Sequence, residues 1–370
     1  MRTEVIDAMH AALSAGNYNP SSAHAEGRAA RALLDSARDR IASALHAGRT
    51  EVTFTGSGTE ADILAIEGVV RALAPKGHVI TSAIEHHAVL HAMDGLREKG
   101  YEVTILPVDS NGRIDAQQFE ASIRTDTLLA SVMYANNEVG TIEPIGELVE
   151  IAHAHGVVFH SDAVQAPVWL PIDVAALKVD LLSLSAHKFY GPKGVGILYV
   201  RRGTPIVPIL PGGGQEFGRR SGTENVTGVA GAAAALTLAS TEREAHLAKI
   251  SRLRDRLEAG IAATISGARV NAAGALRLPN IASVSFVDVD AEALLVRLDL
   301  EGIAASAGSA CTSGVFARSH VIAALGHGAP SDATIRFSLG ISTTSADIER
   351  VLAVLPPILA SVRRSAPASA

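Results

Sequence analysis

The stretch LLSLSAHKFYGPKGVG, residues 181–196, decides the fold class. It opens with a short apolar run typical of a buried strand and ends in a glycine-proline turn. Between the two stand Ser185, His187 and Lys188, which supply a hydroxyl, an imidazole and an amine. Such a lysine is ordinarily a solvated surface cation, but a buried one can have a lowered pKa and act as a nucleophile. Because ligands of open α/β sheets bind beyond the carboxyl ends of the strands, we expect a site here.

Six similar runs occur between residues 50 and 200, with amphipathic helical stretches between many of them. This alternation is typical of a largely parallel sheet covered by helices on both faces. We therefore predict an α/β fold whose large domain holds a mostly parallel seven-stranded sheet flanked by helices. The other runs are EVTFT (51–55), HVITS (78–82), EVTILPV (102–108), TLLASVMYA (127–135), VVFHSDA (157–163) and VGILYV (195–200).

The character of the sequence changes after residue 242. A charged helical stretch, EREAHLAKISRLRDRLEAGI, leads to NIASVSFVDVD, a helical segment AEALLVRLDLEG, and ATIRFSLGIS. This pattern indicates a smaller α+β domain. We predict a large domain over residues 15–242 and a small domain formed by residues 1–14 and 243–370.

Length, charge and cysteine content narrow the class of protein. A chain of 370 residues is longer than a typical domain with a single hydrophobic core. Its net charge of −6 and its lack of a basic run argue against direct nucleic-acid binding. One cysteine excludes an intrachain disulfide and fits a reducing compartment. Because no apolar run is long enough for a bilayer and the start lacks a secretory pattern, we expect a cytoplasmic protein without a membrane span.

The turn TGSGTEA follows the first run, with Gly56, Gly58 and Ala61 at the spacing of a dinucleotide-binding turn. A dinucleotide site also needs an acidic residue at the end of the second strand. The candidate for it, Glu85, lies beyond the end of that strand. A glycine turn that opens a helix also binds a phosphate through backbone N–H groups, and Thr59 adds a hydroxyl. We favour phosphate binding over a dinucleotide or a plain turn.

A carboxylate and an amide follow another predicted strand. Asp162 comes at the end of VVFHSD, and Gln165 stands three residues later. The aspartate alone is equally typical of a helix N-cap. Together with Lys188 and an upstream phosphate site, however, it matches pyridoxal 5′-phosphate. That cofactor requires a Schiff-base lysine, a carboxylate for its ring nitrogen and a phosphate cradle.

With these motifs, the sequence closely resembles the cysteine desulfurases of the NifS/IscS type, in the class V branch of fold-type-I pyridoxal-phosphate enzymes. The resemblance implies a homodimer with two active sites at the subunit interface and L-cysteine as the substrate. It covers nearly the whole chain, through NPSSAHAEGR, TGSGTEADILAI, EHHAVL, ANNEVGTIEPI, HSDAVQ, SAHKFYGPKGVG, GGGQEFGRRSGTEN, SAGSACTSG and IRFSLG.

The resemblance also assigns roles around the cofactor. Lys188 would hold it as a Schiff base, and Asp162 would pair with its ring nitrogen. Asn137 and Gln165 would bond the ring hydroxyl oxygen. The phosphate would be bound by Thr59, Ser185, His187, the backbone at Gly58 and, from the partner subunit, Thr223.

Three further residues would act on the substrate. His86, otherwise a plain helix-start histidine, would stack on the ring and transfer protons. Arg336, with Asn137, would bind the substrate carboxylate through a two-pronged contact that lysine cannot copy. Cys311 is the single cysteine and lies among small residues; an inert buried thiol is its other reading. The resemblance makes it the thiolate that takes the substrate sulfur, leaving alanine and a persulfide for an acceptor protein.

Alternatives remain open. Relatives begin with a segment like YLDNAATTP that is not found here, so either the true start lies upstream or substrate binding is altered. The chain could then be a cofactor-binding partner protein with weak activity, or a selenocysteine lyase or class V aminotransferase. The sulfur acceptor could serve iron–sulfur assembly or thio-modification of tRNA or DNA. His87 and His91 stand four apart without a third ligand, so we predict no metal site.

Overall fold

The computed structural model describes residues 1–307, 319–326 and 332–363, which divide into two compact units. The first comprises residues 1–106, 115–134 and 143–243, and the second 107–114, 135–142 and 244–370, within the described ranges. This division differs from the predicted domains at residues 107–114 and 135–142, which belong to the second unit, and at residues 1–14, which belong to the first. The reason is packing: Val5 is fully buried, and Arg2 forms an ion pair with Glu242.

The first unit contains a seven-stranded sheet with the strand order β1-β7-β6-β5-β4-β2-β3. Every neighbouring pair is parallel except the two that include β7, which runs antiparallel to both β1 and β6. The predicted mostly parallel seven-stranded sheet is therefore confirmed. Its strands are β1 (Val52–Thr55), β2 (His78–Ser82), β3 (Glu102–Leu106), β4 (Thr127–Ser131), β5 (Val158–Asp162), β6 (Leu181–Ser185) and β7 (Gly196–Val200).

Helices flank this sheet because the strands between them are apolar on both faces. All residues of β2, β6 and β7 are buried, as is the inner side of the helix that follows β1. The helices are α1 (Thr3–Ser14), α2 (Ala25–Leu45), α3 (Gly58–Leu73), α4 (His87–Glu98), α5 (Ala116–Ala121), α6 (Ile145–Ala154), α7 (Val174–Leu177) and the long α8 (Val226–Thr264).

The position of β1 argues against the dinucleotide reading of the glycine turn. A dinucleotide turn follows a strand within a parallel βαβ unit. Strand β1 instead lies at one end of the strand order and pairs antiparallel with β7. Glu85 cannot supply the acidic residue either, because its carboxylate is buried and accepts hydrogen bonds from Ser82 and the Met133 N–H.

The second unit contains a four-stranded antiparallel sheet with the order β10-β11-β9-β8. All residues of β9 are buried, and the predicted α+β composition is observed. The strands are β8 (Ala268–Val270), β9 (Ile281–Phe286), β10 (Ser306–Ala307) and β11 (Ala333–Ser338), with the helices α9 (Ala291–Leu300), α10 (His320–Ala324) and α11 (Ser345–Val362).

In the ranges that the structure describes, no helix is both long enough and apolar enough to cross a bilayer.

Candidate active site

The N-terminus of α3 lies where the sequence predicts a phosphate cradle. The helix begins at Gly58, and the Ser57 side chain caps it by accepting the Glu60 N–H at 3.1 Å. The first N–H groups of a helix have no partner within the helix, so those of Gly58 and Thr59 can donate to an anion. A Cβ atom at Gly58 would lie 2.9 Å from the Ser185 Cβ. Only glycine therefore allows this turn to approach the end of β6 so closely.

Ser185 and His187 complete the cradle. Ser185 ends β6 and shares a hydrogen bond of 2.9 Å with the Nδ1 of His187. Burial lowers the pKa of His187, and the charge of Lys188 lowers it further. The structure thus brings together Gly58, Ser185 and His187, three residues that the sequence analysis assigned to one phosphate.

Asp162 lies at the end of β5, directly beside β6 in the sheet. Its Oδ1 accepts the Val164 N–H at 2.9 Å, and only 6% of the residue is exposed. Burial raises the pKa of Asp162 to about 6, against the opposing effect of the Lys188 charge. The carboxylate therefore carries its charge at neutral pH and is influenced by the amine at position 188.

Lys188 occupies the short 3-10 turn Ala186–Phe189 that follows β6. A solvated and a buried lysine were the two readings of this position, and Lys188 is exposed. The reason is that the strand ends at Ser185, and the turn carries the side chain beyond the apolar sheet. Gln165, in the loop after β5, is half-buried.

A buried polar network lies beneath Asp162, and the sequence analysis did not foresee it. His160, on the same face of β5, shares hydrogen bonds with Ser131 at 2.8 Å and Ser183 at 2.9 Å. Its Nε2 lies 3.7 Å from the Oδ1 of Asp62 on α3. Burial lowers the pKa of His160 to about 3, while burial and the nearby Asp162 raise the pKa of Asp62 well above its ordinary value. Both shifts favour the uncharged form of the group, as expected for polar side chains buried in contact with each other.

Glu85 holds the loop that carries His86. Its Oε1 accepts the Ser82 hydroxyl at 2.5 Å and the Met133 N–H at 2.9 Å, which ties the loop to the ends of β2 and β4. The side chain is fully buried, and burial raises its pKa to about 8. A charged residue in SAIEHH, between a strand and a helix, was the only sequence signal for this group.

His86 caps α4 with its ring. The Nδ1 atom accepts the Ala88 N–H at 3.1 Å, so a neutral ring carries its proton on Nε2. The residue is half-buried. In this arrangement Nε2 is the atom that can present a proton to a substrate.

The two predicted substrate-binding residues meet in the second unit. The Arg336 Nη1 on β11 donates to the Asn137 carbonyl oxygen at 2.6 Å. The next residue, Glu138, is buried, which raises its pKa to about 7, while the Ser319 hydroxyl and the Arg336 charge act in the opposite direction. The guanidinium of Arg336 is therefore oriented by this loop.

Cys311 lies outside the described residues, but both flanks of its segment are described. On one side, Ser306 in β10 pairs with Arg336 across the sheet. On the other, the Ser319 hydroxyl donates to Glu138 at 2.5 Å. The chain therefore enters the segment 308–318 beside Arg336 and leaves it beside Glu138.

The remaining predicted residues are Thr223 and the two histidines of α4. Thr223 is exposed and precedes α8. The rings of His87 and His91 lie 5.3 Å apart. Within residues 1–307, 319–326 and 332–363, no three His, Cys, Asp or Glu side chains are grouped so that they could hold a metal ion.

Comparison with known proteins identifies the family. The family model described as aminotransferase class-V matches residues 1–351. The chain belongs to the class-V aminotransferase family. This chain is 46% identical to the cysteine desulfurase IscS of Dictyoglomus turgidum. The alignment covers 99% of this chain and 94% of that relative.

Solved structures agree with this family assignment. A NifS-like protein superposes with a TM-score of 0.91 and 36% identity, covering 98% of this class-V chain and 97% of the other. SspA, solved in complex with cysteine, superposes with a TM-score of 0.80 and 35% identity, covering 93% and 97%. The predicted resemblance to NifS/IscS-type proteins is confirmed.

Proposed function

We propose that this protein is a pyridoxal 5′-phosphate-dependent cysteine desulfurase that converts L-cysteine to L-alanine and leaves a persulfide on Cys311. One observation carries the proposal. Asp162 and Lys188 follow neighbouring strands β5 and β6, beside a phosphate cradle, in a chain whose curated relatives include cysteine desulfurases. No other common cofactor requires this combination of carboxylate, amine and phosphate donors.

The residues present fit the cofactor. Gly58 leaves the N-terminus of α3 open to an anion where a side chain would collide with Ser185. Thr59, Ser185, His187 and, from a second subunit, Thr223 would complete the phosphate contacts. Asp162 is an anion at neutral pH in a buried position, which suits a protonated ring nitrogen. Gln165 and Asn137 would bond the ring hydroxyl oxygen, and Lys188 would hold the group covalently.

When bound, the cofactor supplies an electron sink that weakens the bonds around the substrate Cα and Cβ. Residues of this chain bind the substrate and move the protons. Arg336 binds the substrate carboxylate by charge-assisted hydrogen bonds, oriented by the Asn137 carbonyl. Lys188 moves the proton at Cα, and His86 presents the proton on its Nε2.

Cys311 accepts the sulfur. Its thiolate attacks the substrate Sγ, the Cβ–Sγ bond breaks, and the Cβ carbon is protonated, so that L-cysteine and a thiol become L-alanine and a persulfide. Atoms and electrons balance without an external oxidant.

The proposal includes three finer points. The protein acts as a homodimer, in which Thr223 reaches the partner's phosphate. It passes its sulfur to an acceptor protein, with no direct contact to nucleic acid or membrane. It works in the cytoplasm, where a single reactive thiol stays reduced.

The test is an assay of the purified full-length protein. It should be yellow, absorbing at about 420 nm, and with L-cysteine and a reductant it should release sulfide and alanine in equal amounts. Loss of L-cysteine with formation of 3-mercaptopyruvate, and of neither alanine nor sulfide, would support an aminotransferase instead. Colour without turnover would support a cofactor-binding partner protein, and turnover of selenocysteine alone would support a selenocysteine lyase.

The buried Glu85 makes stability depend on pH. Its pKa is about 8 in the fold against an ordinary 4.5, so its contribution to stability is full below pH 4.5 and is lost as the pH rises through 8. We expect the free energy of unfolding to fall from pH 6 to pH 9 in wild type and to fall less in Glu85→Gln. Linkage sets the ceiling of this difference at several kcal/mol.

Denaturant unfolding at both pH values measures this effect. The exposed Glu102→Gln serves as the matched control and should keep the wild-type slope. Because Asp62 and Asp162 also have raised pKa values, the informative quantity is the difference between the variants. Equal slopes for wild type and Glu85→Gln would show that Glu85 is ionised throughout this range.

A further inference from the structure

A carboxylate stands at the mouth of the phosphate cradle. Glu60 is the third residue of α3, and its Oε2 accepts the Gly56 N–H at 2.7 Å. A Cβ atom at Gly56 would lie 2.8 Å from this oxygen, so the carboxylate packs directly against the turn. A negative charge at this position repels a phosphate, which is the ligand that the cradle otherwise favours.

Arg220 balances this charge. Its Nε donates to the Glu60 Oε1 at 2.8 Å, and its Nη2 lies 3.4 Å from Oε2. The pair is partly buried, with 25% of the arginine side chain and 19% of the glutamate side chain exposed. Partial burial weakens the screening by water, so the charge of Glu60 would be felt at the cradle without its partner.

The backbone that carries Arg220 is fixed to the sheet a few residues earlier. Glu216 is buried and forms a two-pronged ion pair with Arg38, at 2.6 and 2.7 Å. The same pair binds one edge of β1: Glu216 accepts the Phe54 N–H at 2.8 Å, and Arg38 donates to the Val52 carbonyl at 2.7 Å. Strand β1 leads into the glycine turn, so the turn and Arg220 are held by the same strand.

We propose that Arg220 is a positioning residue for the phosphate cradle: it holds the Glu60 carboxylate against Gly56 and cancels its charge, so that a phosphate dianion can bind. This inference rests on the proposed function, because the phosphate is that of pyridoxal 5′-phosphate. It assigns to Arg220 a role through Glu60 and not a direct contact with the cofactor.

The test is a binding titration of the full-length protein freed of cofactor, with pyridoxal 5′-phosphate and with pyridoxal, which lacks the phosphate. Arg220→Ala should raise the Kd for pyridoxal 5′-phosphate by about tenfold to a hundredfold, the scale of a hydrogen bond to a charged group. It should leave the Kd for pyridoxal unchanged. Glu60→Gln, which removes the charge and keeps an acceptor for Gly56, should bind at least as tightly as wild type.

The double variant decides between two routes. If Arg220 acts through Glu60, then Glu60→Gln/Arg220→Ala should bind pyridoxal 5′-phosphate nearly as well as wild type, so the two changes are strongly non-additive. If the double variant stays as weak as Arg220→Ala, the arginine attracts the phosphate itself, and the inference is wrong. An equal loss for both ligands would also contradict it, because that result indicates a general loss of structure.

A control comes from the amino-terminal edge of the sheet. Arg124 forms a two-pronged contact with Asp126 just before β4, so Arg124→Ala removes a more exposed ion pair away from the carboxyl ends of the strands. It should not change either Kd. The proposed function is tested separately by the wild-type protein. If wild type binds neither ligand, the proposed function is wrong. If wild type binds and Arg220→Ala binds equally well, only this inference is wrong.

Discussion

Replacement of Lys188 by alanine should abolish the yellow absorption of the lysine-bound cofactor and reduce sulfide release by about a thousandfold or more. The reason is that Lys188 would be both the covalent attachment point and the base at the substrate Cα. Its charge already acts on Asp162, one strand away. Few single changes in this chain remove two functions at once, so we expect the largest loss here.

Reduction with borohydride followed by mass spectrometry measures the linkage directly. Wild type should carry the mass of the cofactor on the peptide that contains residue 188, and Lys188→Ala should carry none. Lys193→Ala is the matched control, since Lys193 is an exposed lysine in the same glycine-proline turn. A cofactor mass that persists in Lys188→Ala would place the attachment at another amine and overturn the proposed chemistry.

Replacement of Cys311 by serine should have the second largest effect, and on one half of the reaction only. The cofactor contacts lie elsewhere in the chain, so the yellow colour and its intensity should remain. Sulfide release should fall to background because a hydroxyl is a far weaker nucleophile for sulfur than a thiolate. Cys311→Ser should therefore keep the colour and lose the turnover, whereas Lys188→Ala should lose both.

The measurement is the mass of the intact protein after incubation with L-cysteine, without reductant. Wild type should gain one or more sulfur atoms, all on the peptide that contains residue 311, and Cys311→Ser should gain none. Alanine production that continues unchanged in Cys311→Ser would argue for a reaction that does not need this thiol. A selenocysteine lyase would then be the better reading.

The local pattern of the sequence predicted much of the scaffold. Each of the seven runs contains a strand of one sheet, and in β1, β2, β6 and β7 every residue is buried, as expected for continuous apolar runs. The residue types at the strand ends, such as Asp162 and the Ser185–His187–Lys188 group, indicated the chemistry. The predicted place of residues 1–14, in the small domain, differs from the division of the structure, since a helix pattern does not reveal which surface the helix packs on.

The sequence by itself determined where the strands run, which polar residues follow them and which cofactor they suit, because these depend on the order of side chains along a short stretch. Only the tertiary structure decided the reversed direction of β7, the exposure of Lys188 and the opposite pKa shifts of Asp62 and His160. It also decided the Glu60–Arg220 pair, whose members are 160 residues apart. These properties depend on burial and on the charges of neighbouring groups, because both arise only when distant segments of the chain pack together.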